Sequence, residues 1–216
     1  MRKKDDTLHQ LANDYIKELK KVIDSIDLKR VEEAFEMLMG VYKAGRRVFI
    51  LGNGGSASTA SHMASDLSKG TLARVYDDKE KRLQVISLTD NVSLLTAFAN
   101  DLSYDDIFVQ QLRNLIEKGD LLIVLSGSGD SENVIRAVKY SRSRSAKTIG
   151  LLGFETGGKL AKLVDCAIIA QSNHYGPIED THLIFNHIMT SWFAKAKKKL
   201  EGIKVTENNA LPFRND

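Results

Sequence analysis

His62 and Asp66 stand four residues apart in a stretch that reads as helix, so their side chains leave one face about one turn apart. A histidine and a carboxylate at that spacing suit a divalent metal or an acid–base pair, and equally an ordinary surface hydrogen bond. Near the other end of the chain, Glu179, Asp180, His182, Asn186 and His187 are set among Leu183, Ile184, Phe185, Ile188 and Met189. At about 100° per residue, Glu179 and His187 lie about 80° apart around a helix and can reach one cavity from successive turns. His182 and His187 lie about 140° apart, too far for both to serve one small site directly. Taken singly, each of these histidines is more often a packing residue than a catalyst. Asn100 and Asp101 follow a short apolar helix, where they can reach the same cleft or merely stop the helix through an Asx turn.

Two glycine–serine turns supply a different chemistry. Leu51-Gly52-Asn53-Gly54-Gly55-Ser56 ends an apolar run that begins at Arg47 and opens a helix, and its glycines allow close backbone approach. The first N–H groups of that helix have no internal partner and sit at its positive end, which makes an anion site. A second copy follows: the apolar run 121–125, then Ser126-Gly127-Ser128-Gly129-Asp130-Ser131, then a helix from Glu132. The pair suggests one phosphorylated ligand held between two turns. Neither turn has the Gly-x-Gly-x-x-Gly spacing or a Walker Gly-Lys-Ser/Thr, which argues against a nucleotide cofactor.

The elements that must position these groups alternate. Apolar strands are expected over 47–51, 83–88, 121–125, 148–152 and 166–170, and helices over 56–69, 91–99, 105–116, 132–142, 159–164 and 178–199, with Tyr175-Gly176-Pro177 as a loop. Such alternation predicts an α/β fold with a parallel sheet of five strands covered on both faces and ligands beyond the strands' carboxyl ends. Two amphipathic helices lead in, one over 7–23 and one capped by Asp27. They can pack on a neighbouring subunit or on this chain's own sheet. One domain over 1–205 and a flexible tail over 206–216 are expected. The near-balanced net charge of +3 gives no global case for nucleic acid, and Lys195, Lys197, Lys198 and Lys199 read as a solvated face. The single cysteine, Cys166, the lack of an apolar signal core and the lack of a run long enough to span a membrane point to a cytoplasmic protein.

Taken together, Gly52-Asn53-Gly54-Gly55-Ser56, His62 with Asp66, Thr89-Asp90-Asn91, Ala99-Asn100-Asp101, the Ser126–131 turn, and Glu179 with His187 resemble the sugar isomerase (SIS) fold of bacterial phosphoheptose isomerases. The resemblance implies isomerisation of sedoheptulose 7-phosphate to glycero-manno-heptose 7-phosphate, by a homotetramer with sites between subunits. It also implies a substrate site of Asn53, Gly54, Gly55, Ser56, Asp101, Ser126, Ser128, Ser131 and Glu179, with Asp66 and His187 catalytic. Zinc, or another divalent metal, would be held by His62, Asp66, Glu179 and His187. The chain departs from the family pattern in four places. Asp66 is one methylene shorter than the usual glutamate, Glu179 stands for glutamine, Gly127 for threonine, and the segment from Pro177 to Asp180 lacks an arginine. SIS proteins that bind a replication initiator, or sense sugar phosphates without catalysis, are the alternative. They lack the catalytic acid and histidine.

Overall fold

The computed structural model describes residues 7–202, so the tail expected over 206–216 lies outside the described residues. Helices α1 (Leu8–Asp24) and α2 (Leu28–Ala44) lead in. The Thr7 hydroxyl accepts from the Gln10 N–H at the start of α1, and the Asp27 carboxylate accepts from the Lys29 N–H at the start of α2. Gly45, at φ 65°, closes α2 in the left-handed conformation. There follow β1 (Arg47–Gly52), α3 (Gly55–Ser65) with a π turn over Asp66–Gly70, β2 (Gln84–Ser87) and α4 (Val92–Asp101). The chain continues through a 3-10 turn (Tyr104–Asp106), α5 (Val109–Leu115), β3 (Leu121–Ser126), α6 (Glu132–Ser143) and β4 (Lys147–Leu152). It then runs through a second 3-10 turn (Lys159–Lys162), β5 (Cys166–Ile169) and α7 (Tyr175–Leu200).

The five strands form one parallel sheet in the order β2-β1-β3-β4-β5, as the alternation of apolar runs and helices predicts. Strand side chains alternate between two apolar layers. Val48, Ile50, Ile123 and Leu125 meet Phe35, Leu38, Met63, Phe185 and Met189 on one face. Phe49, Leu51, Leu122 and Val124 meet Leu112, Val134 and Val138 on the other. Strands β1 and β3 are neighbours, with Gly52 opposite Leu125, yet the chain leaves β1 toward one edge and β3 toward the other. Their carboxyl ends are the switch point at which such sheets open a crevice, and both glycine turns start there.

Helix α2 packs on the sheet, but α1 does not: Leu8, Leu11 and Ile16 are exposed, and only Val22 of that helix is buried. Three expectations are corrected. Residues Tyr175, Gly176 and Pro177 form the first turn of α7 instead of a loop, because a proline there removes an N–H that has no intrahelical partner anyway. Asn100 and Asp101 belong to the last turn of α4. Lys197 is not part of a solvated face: it turns inward to Glu80 (Nζ–Oε1 2.6 Å), with side-chain exposures of 1% and 0%. Glu80 also accepts from the N–H groups of Ala73 and Arg74, so this pair ties the 71–83 segment to α7. Burial by itself would raise the Glu80 carboxyl, but Lys197 and the two backbone donors hold it below the usual carboxylate range.

His182, 2% exposed, donates from Nε2 to the Leu152 carbonyl (3.0 Å); a carbonyl only accepts, so the proton is on Nε2. Among the described residues its Nδ1 has no hydrogen-bond partner, and burial pushes the ring down to about 4. Hence it is a core residue that must stay neutral.

Two outcomes follow from these buried groups. Lys197→Met strands the Glu80 carboxylate, and urea unfolding should show a loss of about 3–5 kcal/mol, part of which Glu80→Gln restores in the double variant. An unfolded histidine takes up a proton below about pH 6.5 while folded His182 does not, so stability falls with pH across that window. In unfolding curves at pH 7 and pH 5, His182→Leu should lose roughly 2 kcal/mol less than the parent between the two; equal losses would show that His182 is not the neutral group.

Candidate active site

The first turn leaves β1 at Gly52, and α3 starts at Gly55 with no side-chain cap on its first N–H groups. A Cβ at Gly55 would lie 2.7 Å from Glu179 Oε1, so the absent side chain is what lets α7 bring its carboxylate against this turn. The second turn leaves β3 at Ser126. Gly129, at φ 68°, carries it past the 157–158 loop so closely that a Cβ would sit 2.0 Å from the Gly157 carbonyl oxygen. Between the turns is a cavity of about 160 Å³ lined by Asn53, Ser56, Ser126, Ser128, Ser131, Glu179, Gly127 and Tyr175. Ser126 Oγ accepts from the Gly129 N–H (3.0 Å) and Ser128 Oγ from the Asp130 N–H (3.3 Å). Each of these hydroxyls still has its own hydrogen to donate. Tyr175 rests its ring on Gly127, where a Cβ would come within 2.9 Å of ring carbons. The glycine that stands for a threonine hydroxyl thus makes room for an aromatic wall.

A second group of side chains gathers where the end of α3 and the π turn meet α7. His62 Nε2 is 3.2 Å and His187 Nε2 3.8 Å from the same oxygen, Oδ2, of Asp66. The two imidazole centroids are 5.3 Å apart. One ligand atom from each of His62, Asp66 and His187 falls within 4.8 Å of the others, and two imidazoles with a carboxylate form a donor set that suits zinc. The Asp66 side chain is recessed at 14% exposure between half-exposed imidazoles. Asn186, fully buried, donates from Nδ2 to Asp66 Oδ2 at 2.7 Å and fixes the shorter carboxylate from beneath.

The candidate residues therefore fall into two groups. His62, Asp66 and His187 are together. Asn53, Ser56, Ser126, Ser128, Ser131 and Glu179 line the serine cavity, Gly55 packs against Glu179 at its edge, and Gly54 lines a second cavity that shares Asn53. Glu179 stands outside the cluster of three, since eight residues of α7 separate it from His187 by about 12 Å along the axis. Asp101 is exposed at the end of α4, where it accepts from Asn100 Nδ2 (2.9 Å), and lines neither the cavity nor the cluster. Two residues had no role assigned from sequence. Asn186 carried a weak signal, a polar residue inside an apolar run. Tyr175 carried none, having been read as loop.

Comparison with known proteins identifies the family. The family model for the SIS domain matches residues 13–153. A phosphoheptose isomerase from Aliarcobacter butzleri is 40% identical over 77% of this chain and 85% of its own length. Among solved structures, the phosphoheptose isomerase of Neisseria gonorrhoeae aligns with a TM-score of 0.77 at 28% identity, over 87% of this chain and 98% of that one. The one from Francisella tularensis aligns with a TM-score of 0.78 at 26% identity, over 88% and 99%. Family model, sequence relatives and fold agree: the chain belongs to the SIS-domain proteins and, among them, to the phosphoheptose isomerase family of enzymes.

Proposed function

We propose that this enzyme interconverts sedoheptulose 7-phosphate and D-glycero-D-manno-heptose 7-phosphate through an enediol, with Asp66 as the base at carbon and His187 as the proton carrier at oxygen. The observation that carries this is the position of one recessed carboxylate, on the π turn, within 3.8 Å of the His187 imidazole on α7. That arrangement favours catalysis over the binding-only alternative.

The serine turns would take the phosphate. Ser56, Ser126, Ser128 and Ser131 offer hydroxyl donors, and the starts of α3 and α6 offer free N–H groups. Anchoring that end spends binding energy on orienting the open-chain carbonyl. Glu179, an acceptor when ionised, suits sugar hydroxyls better than phosphate oxygens. Asp66 then removes the proton from the carbon beside the carbonyl, and its electron pair forms the enediol double bond. His187 delivers a proton to one oxygen and accepts one from the other. Asp66 returns its proton to the adjacent carbon. Asn186 keeps Oδ2 engaged throughout, so the carboxylate does not swing away. A zinc or other divalent ion held by His62, Asp66 and His187 would polarise the carbonyl as a Lewis acid.

A cytoplasmic homotetramer with sites between subunits completes the proposal. Two features support it: cavity and cluster are about 12 Å apart along α7, and Leu8, Leu11 and Ile16 of α1 are left exposed by this chain. Among the described residues no helix is long and apolar enough to cross a membrane.

Asp66→Asn should lower kcat by about 10²- to 10⁴-fold, with the inhibition constant of inorganic phosphate within about twofold of the parent. Parental turnover in that variant removes Asp66 from the chemistry. Chelation should lower turnover and added Zn2+ restore it. By calorimetry, His62→Ala should weaken zinc binding by more than the roughly 10- to 100-fold that losing an outer-sphere partner causes; unaltered zinc binding places the metal elsewhere.

A further inference from the structure

Asn53 enters the site on residue type alone, but its amide is held in one orientation by a network that runs from buried Asn133 out to the exposed Tyr104. The backbone N–H of Val134 donates to Asn133 Oδ1 (2.9 Å), which settles which end of that amide is oxygen; Asn133 is 2% exposed. Asn133 Nδ2 must then donate to Asn53 Oδ1 (2.9 Å), and Asn53 Nδ2 donates back to Asn133 Oδ1 (2.9 Å). The Tyr104 hydroxyl donates to the same Asn53 Oδ1 at 3.1 Å. A carbonyl oxygen has two lone pairs, and both are now used. Among the described residues, one N–H is all that the Asn53 side-chain amide has left. It stands in a wall common to the serine cavity and a neighbouring cavity of about 180 Å³ lined in part by Thr89, Thr96 and Tyr104.

We infer that Tyr104 is a positioning residue: by filling the second lone pair of Asn53 Oδ1, it makes Asn53 a pure hydrogen-bond donor that recognises an acceptor oxygen, carbonyl or hydroxyl, on the sugar. Without the hydroxyl, Oδ1 regains a lone pair, the amide is held only by Asn133, and a sugar hydroxyl can meet it in either sense. Tyr104 lies outside the acid–histidine cluster and the serine turns, so its loss leaves the phosphate contacts in place. The inference rests on the proposed sugar-phosphate reading of the site.

Calorimetry in an Asp66→Asn background reads binding without turnover. Tyr104→Phe should weaken sedoheptulose 7-phosphate by about three- to tenfold, the scale of one hydrogen bond. Inorganic phosphate should remain within about twofold and the thermal midpoint unmoved. In the turnover-competent enzyme, the same change should raise KM more than it lowers kcat. Equal losses for sugar phosphate and inorganic phosphate would make Tyr104 a packing residue, and no loss for either would leave Asn53 independent of it; both overturn the inference alone. If the Asp66→Asn protein binds sedoheptulose 7-phosphate no more tightly than inorganic phosphate, the substrate reading fails and takes the inference with it.

Discussion

The close crossing of α3 and its π turn with α7 is the constraint on which the placement of His62, Asp66, Glu179 and His187 depends. Two glycines permit it. Gly55 has Glu179 where a Cβ would go, and at Gly70 a Cβ would stand 3.2 Å from Thr190 Cγ2. Met63 and Leu67 on one side and Phe185 and Met189 on the other supply the apolar contact, all of it within the core layer under the sheet. Burying a large aliphatic or aromatic side chain contributes about 1.5–3 kcal/mol, so packing, not the polar pairs, sets the approach. The Asn186–Asp66 bond then has a narrower task. A hydrogen bond to a charged group is worth about 1.5–3 kcal/mol, enough to keep one carboxylate rotamer populated once the helices are in place.

The sheet settles what the crossing faces. Parallel strands buried on both faces leave only their ends for chemistry, and β1 and β3, side by side, bring two serine-bearing turns within one small cavity. Because α7 returns over the same end, its first two turns contribute Tyr175 and Glu179 to that cavity, while two turns beyond Glu179 it contributes His187 to the cluster with Asp66. One helix thereby serves both an anion-binding end and a proton-transferring end. Their separation is fixed by helical rise and cannot relax independently of the fold.

Much of this was legible in sequence, for identifiable reasons. Strands buried on both faces are continuous apolar runs, so β1 and β3 were visible, and the glycine–serine turns were marked by composition. The His62–Asp66 pair was visible because spacing of four residues places side chains together in both angle and height. For Glu179 the angular argument is incomplete. An 80° separation around the helix looked permissive, but projecting the helix onto a circle discards the 12 Å of rise between Glu179 and His187. Residues whose role depends on a distant partner were legible at most as a polar group out of place in an apolar run, as Asn186 was. Asn186, Tyr104 and Asn133 act through segments 120, 51 and 80 residues away. Lys197 looked like its solvated neighbours because nothing local shows that Glu80 waits opposite.

The departure at Glu179 bears on where a phosphate can rest. A carboxylate and a phosphate charge at about 4 Å repel by about 4 kcal/mol at an effective dielectric near 20, whereas a favourable helix N-terminus returns up to about 2 kcal/mol. The starts of α3 and α6 together could therefore just offset direct contact, with little left for affinity. A phosphate on the proposed reading gains more on the Ser126–131 side of the cavity, against the start of α6 and away from the carboxylate that Gly55 admits. Glu179 would then face the carbon chain, where hydroxyl groups supply the donors that an acceptor-only side chain needs. Asn53, beside it with its oxygen already taken, supplies the complementary donor. An acceptor fixed on α7 and a donor fixed in the turn between β1 and α3 read the orientation of a polyol, a task that charge alone cannot perform.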